Sequence, residues 1–228
     1  MKFNNLCDIS KNQSNYIKII AIFTMFIDHL GVIIYPDLII YRIIGRIAFP
    51  LFAFQLCVGY LHSKNIANHL LKIFVFAIII QIGYYLAGIY FNVIEDTKIF
   101  NIFFTLLLGL LSIYFYDTKK YILMLLVLLI PFATEYSLGV FIEYQSFGVV
   151  LILTMFILRK NTIAFIISTI LLTFVCSLLL NNYLQMFSIF ALIFIFKPID
   201  FNVNLPNNVF YYFYPLHLIF IYLLSFII

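Results

Sequence analysis

Charge is the scarcest property of this chain. Only 10% of its 228 residues are Asp, Glu, Lys or Arg, against roughly 25% in a soluble domain. So few charges cannot cover a water-facing surface, which excludes an ordinary soluble globule. Cysteine is almost as scarce, and Cys7, Cys57 and Cys176 stand far apart. That spacing builds neither a disulfide framework nor a zinc site. The three read as small apolar fillers, and no metal is expected. A Gly-rich phosphate loop is missing. No Pro/Gly/Ser linker and no internal repeat divides the chain, so residues 1–228 read as a single membrane domain. Residues 1–15 are polar, with neither the apolar run nor the cleavage pattern of a signal peptide. They read as a short cytoplasmic segment, with the first span directing insertion.

What the chain has instead is apolar length. Hydrophobic residues make up 65% of it and aromatic ones 20%. A spanning helix takes about 20 apolar residues, so eight to ten spans fit. Lipid offers backbone polar groups no partner, which favours helices. Barrel strands need a polar residue at every second position, and runs such as Ile122 to Ile130 have none. The expected fold is therefore all-α, a polytopic transmembrane helical bundle. Breaks in hydropathy divide it into about nine spans: 16–35, 41–61, 70–90, 99–116, 121–133, 139–158, 163–180, 183–196 and 209–228. The fifth and eighth are short enough to be partial entries.

Cytoplasmic loops carry the excess of Lys and Arg. With the N-terminus inside, the inner segments hold Lys2, Lys11, Lys18, Lys64, Lys72, Lys119, Lys120, Arg159, Lys160 and Lys197. Arg42, Arg46 and Lys98 fall on or near the outer side, with Asp37, Glu95, Asp96, Glu135 and Glu143. The expected protein sits in the cytoplasmic membrane, N-terminus inside and C-terminus outside. The net charge of +4 belongs to these loops and does not point to nucleic acid.

A few polar residues lie where lipid gives them no reason to be. Asp28 and His29 are inside the first span, Arg42 and Arg46 at the start of the second, and His217 near the middle of the last. A charge at membrane depth costs at least ~2.5–3.5 kcal/mol, so it faces a partner or a water-filled cavity. The short turn Tyr35-Pro36-Asp37 makes the first two spans antiparallel neighbours, and at 1.5 Å per residue His29 and Arg46 lie at similar depth, roughly 8–9 Å below the outer surface. Asp28, His29, Arg42 and Arg46 can then meet in one outward-leaning cavity. Adjacent helical residues point about 100° apart, so an ion pair from Asp28 to Arg42 or Arg46 is the simpler reading than Asp28 orienting His29. A neutral imidazole there is a natural proton acceptor; a purely structural polar clasp is the alternative. Pro215 breaks the last span two residues before His217. Asn101 and Thr105, four apart, share a face. They either line the same cavity or bridge two helices. His69 reads as interfacial.

The stretch from Ile17 to Asp28-His29-Leu30-Gly31 resembles the opening of the TraX family. So does Arg42-Ile-Ile-Gly45-Arg46-Ile-Ala-Phe-Pro50, running on to Phe54 and followed by Gly59 and His62-Ser63. Asn101-Ile-Phe-Phe-Thr105-Leu and Tyr214-Pro-Leu-His217-Leu continue the likeness to the last span. Three positions depart from the family pattern: Val58 and Gln81 replace acidic residues, and an acidic-Tyr-Gly element is present only in part in residues 143–148.

TraX-like proteins are associated with N-terminal acetylation of pilin. They are similar to multi-span acyltransferases such as heparan-glucosaminide acetyltransferase. The resemblance implies a bacterial transmembrane acetyltransferase with acetyl-CoA as donor and an acceptor outside the cytoplasm, a small membrane peptide first among them. It implies a catalytic role for His29, supported by Asp28, Arg42 and Arg46. It also implies a substrate-side or supporting role for Asn101, Thr105, Tyr214 and His217. Lys64, Lys72, Lys119 and Lys120 would then hold the anionic part of CoA at the cytoplasmic mouth. Two other classes share these features: a proton-coupled transporter whose polar spans line a path, and a non-catalytic membrane chaperone for a small helical peptide. Membrane lipids surround the protein in all three.

Overall fold

The computed structural model describes residues 5–90, 99–200, 202–203, 205–206 and 209–227. Lys2, Glu95, Asp96, Lys98 and Ile228, used above, lie outside the described residues. Helices α1 (Lys11–Ile33), α2 (Ile39–Gly45), α3 (Ala48–His62) and α4 (Ile66–Tyr90) open the chain. They are followed by β1 (Ile99–Phe100), α5 (Ile102–Asp117), α6 (Tyr121–Leu138), β2 (Phe141–Ile142), α7 (Gln145–Leu158) and α8 (Thr162–Leu179). A 3-10 helix (Tyr183–Phe190), α9 (Ala191–Phe196) and α10 (Val209–Ser225) close it. The protein is an all-α, multi-pass membrane protein. Among the described residues five helical stretches are long and apolar enough to cross a bilayer: Lys11–Ile33, Ile39–His62, Ile66–Leu86, Tyr121–Leu138 and Thr162–Leu179. Four further apolar helices are shorter, so the helices match the nine expected segments in place without all reaching spanning length.

The boundaries that differ have local causes. α1 begins at Lys11, not at residue 16, because Ser10 and Gln13 form a capping box. The Gln13 amide N–H donates to Ser10 Oγ at 3.1 Å and the Ser10 N–H to Gln13 Oε1 at 3.0 Å, satisfying two first-turn donors. The second expected span is not one helix: it breaks at Arg46–Ile47. Pro50 explains the break. It has no N–H to give the carbonyl of residue 46, and its ring crowds that carbonyl. Proline is tolerated within the first turn of the new helix, α3, where no donor is needed. The fifth expected span is longer than 121–133, with Pro131 carried inside a helix that runs to Leu138. The fourth and sixth begin with extended residues instead of helix. Ile99 pairs with Phe141 and Phe100 with Ile142 in a two-residue parallel ladder.

The described residues group into two compact units, 1–55 with 158–228 and 56–157; the boundaries fall inside α3 and at the end of α7. In the first unit α1 packs between α2 and α10, and the 3-10 helix packs on α8 and α2. Phe49, Leu51, Phe54 and Phe165 are fully or almost fully buried there, with Phe54 and Phe165 edge to face at 6.3 Å. In the second unit α5 packs on α4 and α6, and Leu108, Val127, Ile142 and Val149 form a buried cluster. The outer faces are apolar: Phe74, Ile78 and Ile82 on α4 and Ile122, Leu125 and Leu129 on α6 are exposed. Hydrocarbon is the medium such faces fit. All three cysteines are buried and free. Burial pushes the Cys7 thiol up to about 12, against the pull of Arg159, so Cys7 stays an uncharged filler.

Candidate active site

The site is built by three helices of the first unit. Asp28 and His29 are neighbours on α1 and face different partners, as their 100° offset requires. Asp28 turns to α2. Its Oδ2 lies 2.9 Å from Arg42 Nη1, and Arg46 Nη2 donates to both its oxygens at 3.2 Å. Arg42 on α2 and Arg46, the residue that caps its C-terminus, are four apart and project from the same side. The carboxylate they share is mostly buried, at 17% side-chain exposure, and the Arg46 side chain is at 10%. Two cations meet one anion, so these three groups together carry positive charge.

Two glycines let the helices come this close. A Cβ on Gly31 would overlap Tyr41, and one on Gly45 would overlap the side chain of Asp28. Stepping back along α1 from 31 to 28 corresponds to stepping forward along α2 from 41 to 45, the antiparallel register expected of a tight turn. Tyr35 and Tyr41 stack at 5.4 Å across that turn. Gly45→Ala should therefore displace Asp28 from both guanidiniums. Overpacking of this kind costs about 1–3 kcal/mol, and a lowered melting temperature in detergent is the expected result. Gly83→Ala, where nothing lies within 4 Å of the new methyl group, is the control and should melt at or slightly above the parent, since alanine is the better helix former.

His29 turns to α10. Its Nδ1 lies 3.1 Å from Nε2 of His217 and 3.0 Å from the carbonyl oxygen of Met25. Nδ1 of His217 lies 2.8 Å from the carbonyl oxygen of Phe213. Aromatic rings enclose the pair. Phe213 stacks on His217 at 5.0 Å, and Tyr214 meets His29 edge-on at 5.9 Å and His217 at 5.4 Å. Phe26 completes the wall at 6.4 Å from His217. His217 and Tyr214 are buried. α10 runs through Pro215 as one helix, which places Tyr214 and His217 against the His29 ring and Phe213 behind His217.

Asn101 and Thr105 belong to the second unit, where both are fully buried. Asn101 caps α5 by accepting from the Phe103 N–H at 3.0 Å. Its amide nitrogen donates to the Ala77 carbonyl at 2.9 Å and to Gln81 Oε1 at 3.0 Å. Thr105 donates to the carbonyl of Glu143. Gln81 in turn donates to the Ile99 carbonyl at 3.1 Å, a bond a carboxylate could not make. Asn101 thus links α5 to α4, and Thr105 links α5 to the turn between β2 and α7. The four lysines are exposed and also belong to this unit. Tyr60 donates to Asp117 at 2.9 Å, which ties the turn carrying Lys64 to the turn carrying Lys119 and Lys120; Lys72 stands on α4. Among the described residues no group of three or more His, Cys, Asp or Glu side chains could hold a metal ion.

A family model described as TraX protein matches residues 13–225. The chain belongs to the TraX family. This TraX chain is 34% identical over 107 residues to a probable fimbrial assembly protein, FimC of serogroup H1, of Dichelobacter nodosus, over 42% of this chain and 43% of that protein. It is 51% identical over 49 residues to the uncharacterized protein RP591 of Rickettsia prowazekii (strain Madrid E), 20% of each chain. The matches thus span from a fifth to about two fifths of these curated relatives. No solved structure matches the chain.

Several polar residues of the TraX chain were not singled out in its sequence. Ser14 donates to Gln55 at 2.8 Å, and Asn15 to the carbonyl of Val203 at 2.7 Å. Thr169, Thr173 and Ser177 form a buried stripe on α8, with Ser188 of the 3-10 helix 3.5 Å from Thr173. Spacing of four along an apolar helix is the signal that marks that stripe. Gln185, also buried, lies in a segment whose 3-10 turns have no sequence period to give it away.

Proposed function

We propose that this protein is a membrane acetyltransferase that moves an acetyl group from cytoplasmic acetyl-CoA to an acceptor at the outer side of the cytoplasmic membrane. One observation carries the reading: an imidazole pair, His29 and His217, stands beside a carboxylate shared by two guanidiniums, on helices whose other faces are apolar. A base next to concentrated positive charge is what acyl transfer from a thioester needs. Family membership supports it as well, and so does the exposed set Lys64, Lys72, Lys119 and Lys120 as a landing surface for the phosphates of CoA.

In this reading His29 removes a proton from the acceptor amine as the amine nitrogen attacks the thioester carbonyl carbon. Negative charge collects on the carbonyl oxygen, where Arg46 or Arg42 stabilises it. The C–S bond then breaks, and the leaving thiolate takes the proton back from His29 as CoA-SH. An acetyl group carried briefly on His29 is the covalent variant of the same chemistry. The acceptor of first choice is the N-terminus of a small membrane peptide. All nine apolar segments cross or enter the membrane, with the N-terminus inside and the C-terminus outside.

A non-catalytic assembly factor is the second reading, favoured by the name of the Dichelobacter relative, a probable fimbrial assembly protein. Mass spectrometry of peptides and lipids from cells with and without the protein separates the two. Acetyl transfer predicts an acceptor heavier by one acetyl group only when the protein is present. Identical masses in both cells would leave the assembly reading standing.

A further inference from the structure

Two helix carbonyls decide where the protons of the histidine pair sit. A carbonyl oxygen only accepts. Met25 O faces Nδ1 of His29 at 3.0 Å, and Phe213 O faces Nδ1 of His217 at 2.8 Å, so in the neutral pair both Nδ1 atoms carry hydrogen. Nε2 of His217 is then a lone pair, and it lies 3.1 Å from Nδ1 of His29. The reverse arrangement, with His217 Nε2–H donating, would set a lone pair against each carbonyl. Only one direction satisfies all three contacts, and it leaves Nε2 of His29 as the unprotonated nitrogen.

We infer that His217 is a positioning residue: it accepts the Nδ1–H of His29, fixes Nε2 of His29 as the base, and stabilises the imidazolium that forms there. When Nε2 takes a proton, the Nδ1–H becomes charge-assisted and its bond to His217 strengthens. The proton can also pass along that bond, which leaves a neutral His29 and places the charge on His217, where the Phe213 carbonyl meets it. Phe213, Tyr214 and Phe26 keep water from competing for the bond. The nearby charged groups Asp28, Arg42 and Arg46 pair with one another, while the contacts of Nδ1 are to Met25 O and His217. Met25 O shares the proton and helps fix the tautomer, but a backbone carbonyl already holding a helix bond cannot take charge onto itself. The inference rests on the acyl-transfer reading for its consequence and on the hydrogen-bond geometry for its substance.

The test uses full-length protein in detergent, labelled with nitrogen-15 histidine. Its four histidines are assigned by single substitution. His29 should show a protonated Nδ1 and an unprotonated Nε2, with a nitrogen–nitrogen coupling from that Nδ1 to His217. A protonated Nε2 on neutral His29, or no coupling to His217, overturns the inference whether or not the protein transfers acetyl groups. The second arm is transfer from labelled acetyl-CoA. In metal sites, losing the group that orients a histidine costs about 10–100-fold, and His217→Leu should lower transfer by a similar factor. His217→Gln places an amide oxygen near the position of Nε2 and should recover most of that loss. Equal activity in parent and His217→Leu protein overturns the inference. So does an equal loss in Leu and Gln variants that both fold. Should the parent transfer nothing, the acyl-transfer reading falls, while the spectra still decide the hydrogen bond.

Discussion

His29→Gln should lower acetyl transfer by at least ~100-fold, the usual contribution of a positioned acid-base group. The change is chosen because little else moves. Glutamine keeps similar bulk and keeps groups that can meet Met25 O and His217. It loses only a nitrogen that exchanges protons near neutral pH. Size-exclusion profiles of parent and variant should coincide. His69→Gln is the control. That residue belongs to the second unit, packed at Gly59, and its loss should leave transfer almost unchanged. Near-parental transfer by well-folded His29→Gln would remove His29 from the mechanism and turn attention to His217 as the base.

The largest effect on stability is expected from Asp28→Ala. Arg46→Ala alone is cushioned, because Arg42 also holds the carboxylate at 2.9 Å. Removing the carboxylate instead leaves two guanidiniums facing each other in a mostly buried place. Breaking a buried pair costs ~3–5 kcal/mol, and the partial exposure of Arg42 argues for the lower end. Thermal unfolding in detergent should show Asp28→Ala far below the parent. The double variant Asp28→Ala with Arg46→Ala should recover part of the loss, since it also relieves the repulsion between the two guanidiniums that the carboxylate had bridged. If Asp28→Ala melts with the parent, the three groups are not coupled and the clasp does not hold α1 to α2.

Which of these features could be read from the residues follows from how local they are. Apolar runs between charged loops place most of the described helices, since lipid contact demands little else of the sequence. The ion pair was readable because Asp28, Arg42 and Arg46 lie within one helical hairpin, where antiparallel depth can be counted residue by residue. The break at Arg46 was readable in principle from Pro50 four positions later. Hydropathy alone hides it, because the apolar run resumes at once after Arg46 and carries on to Leu61. The meeting of His29 and His217 was out of reach: the two are 188 positions apart, and no periodicity links the first span to the last. The same holds for Asn101. Its N-cap geometry and its bonds to Gln81 and Ala77 depend on how α4 and α5 pack. Their sequence leaves cavity lining and helix bridging equally open.

Transfer of an acetyl group across a membrane can be measured directly. Purified protein is reconstituted into sealed vesicles with an acceptor peptide bearing a free N-terminal amine enclosed in the lumen. Labelled acetyl-CoA, which does not cross lipid, is added outside. In the proposed orientation, molecules inserted with Lys64, Lys119 and Lys120 facing outward would be the ones that reach the donor. Label on the enclosed peptide is expected with parent protein, and almost none with His29→Gln at equal reconstitution. Full labelling by His29→Gln, or none by parent protein whatever amine or hydroxyl acceptor is enclosed, would contradict the proposed transfer.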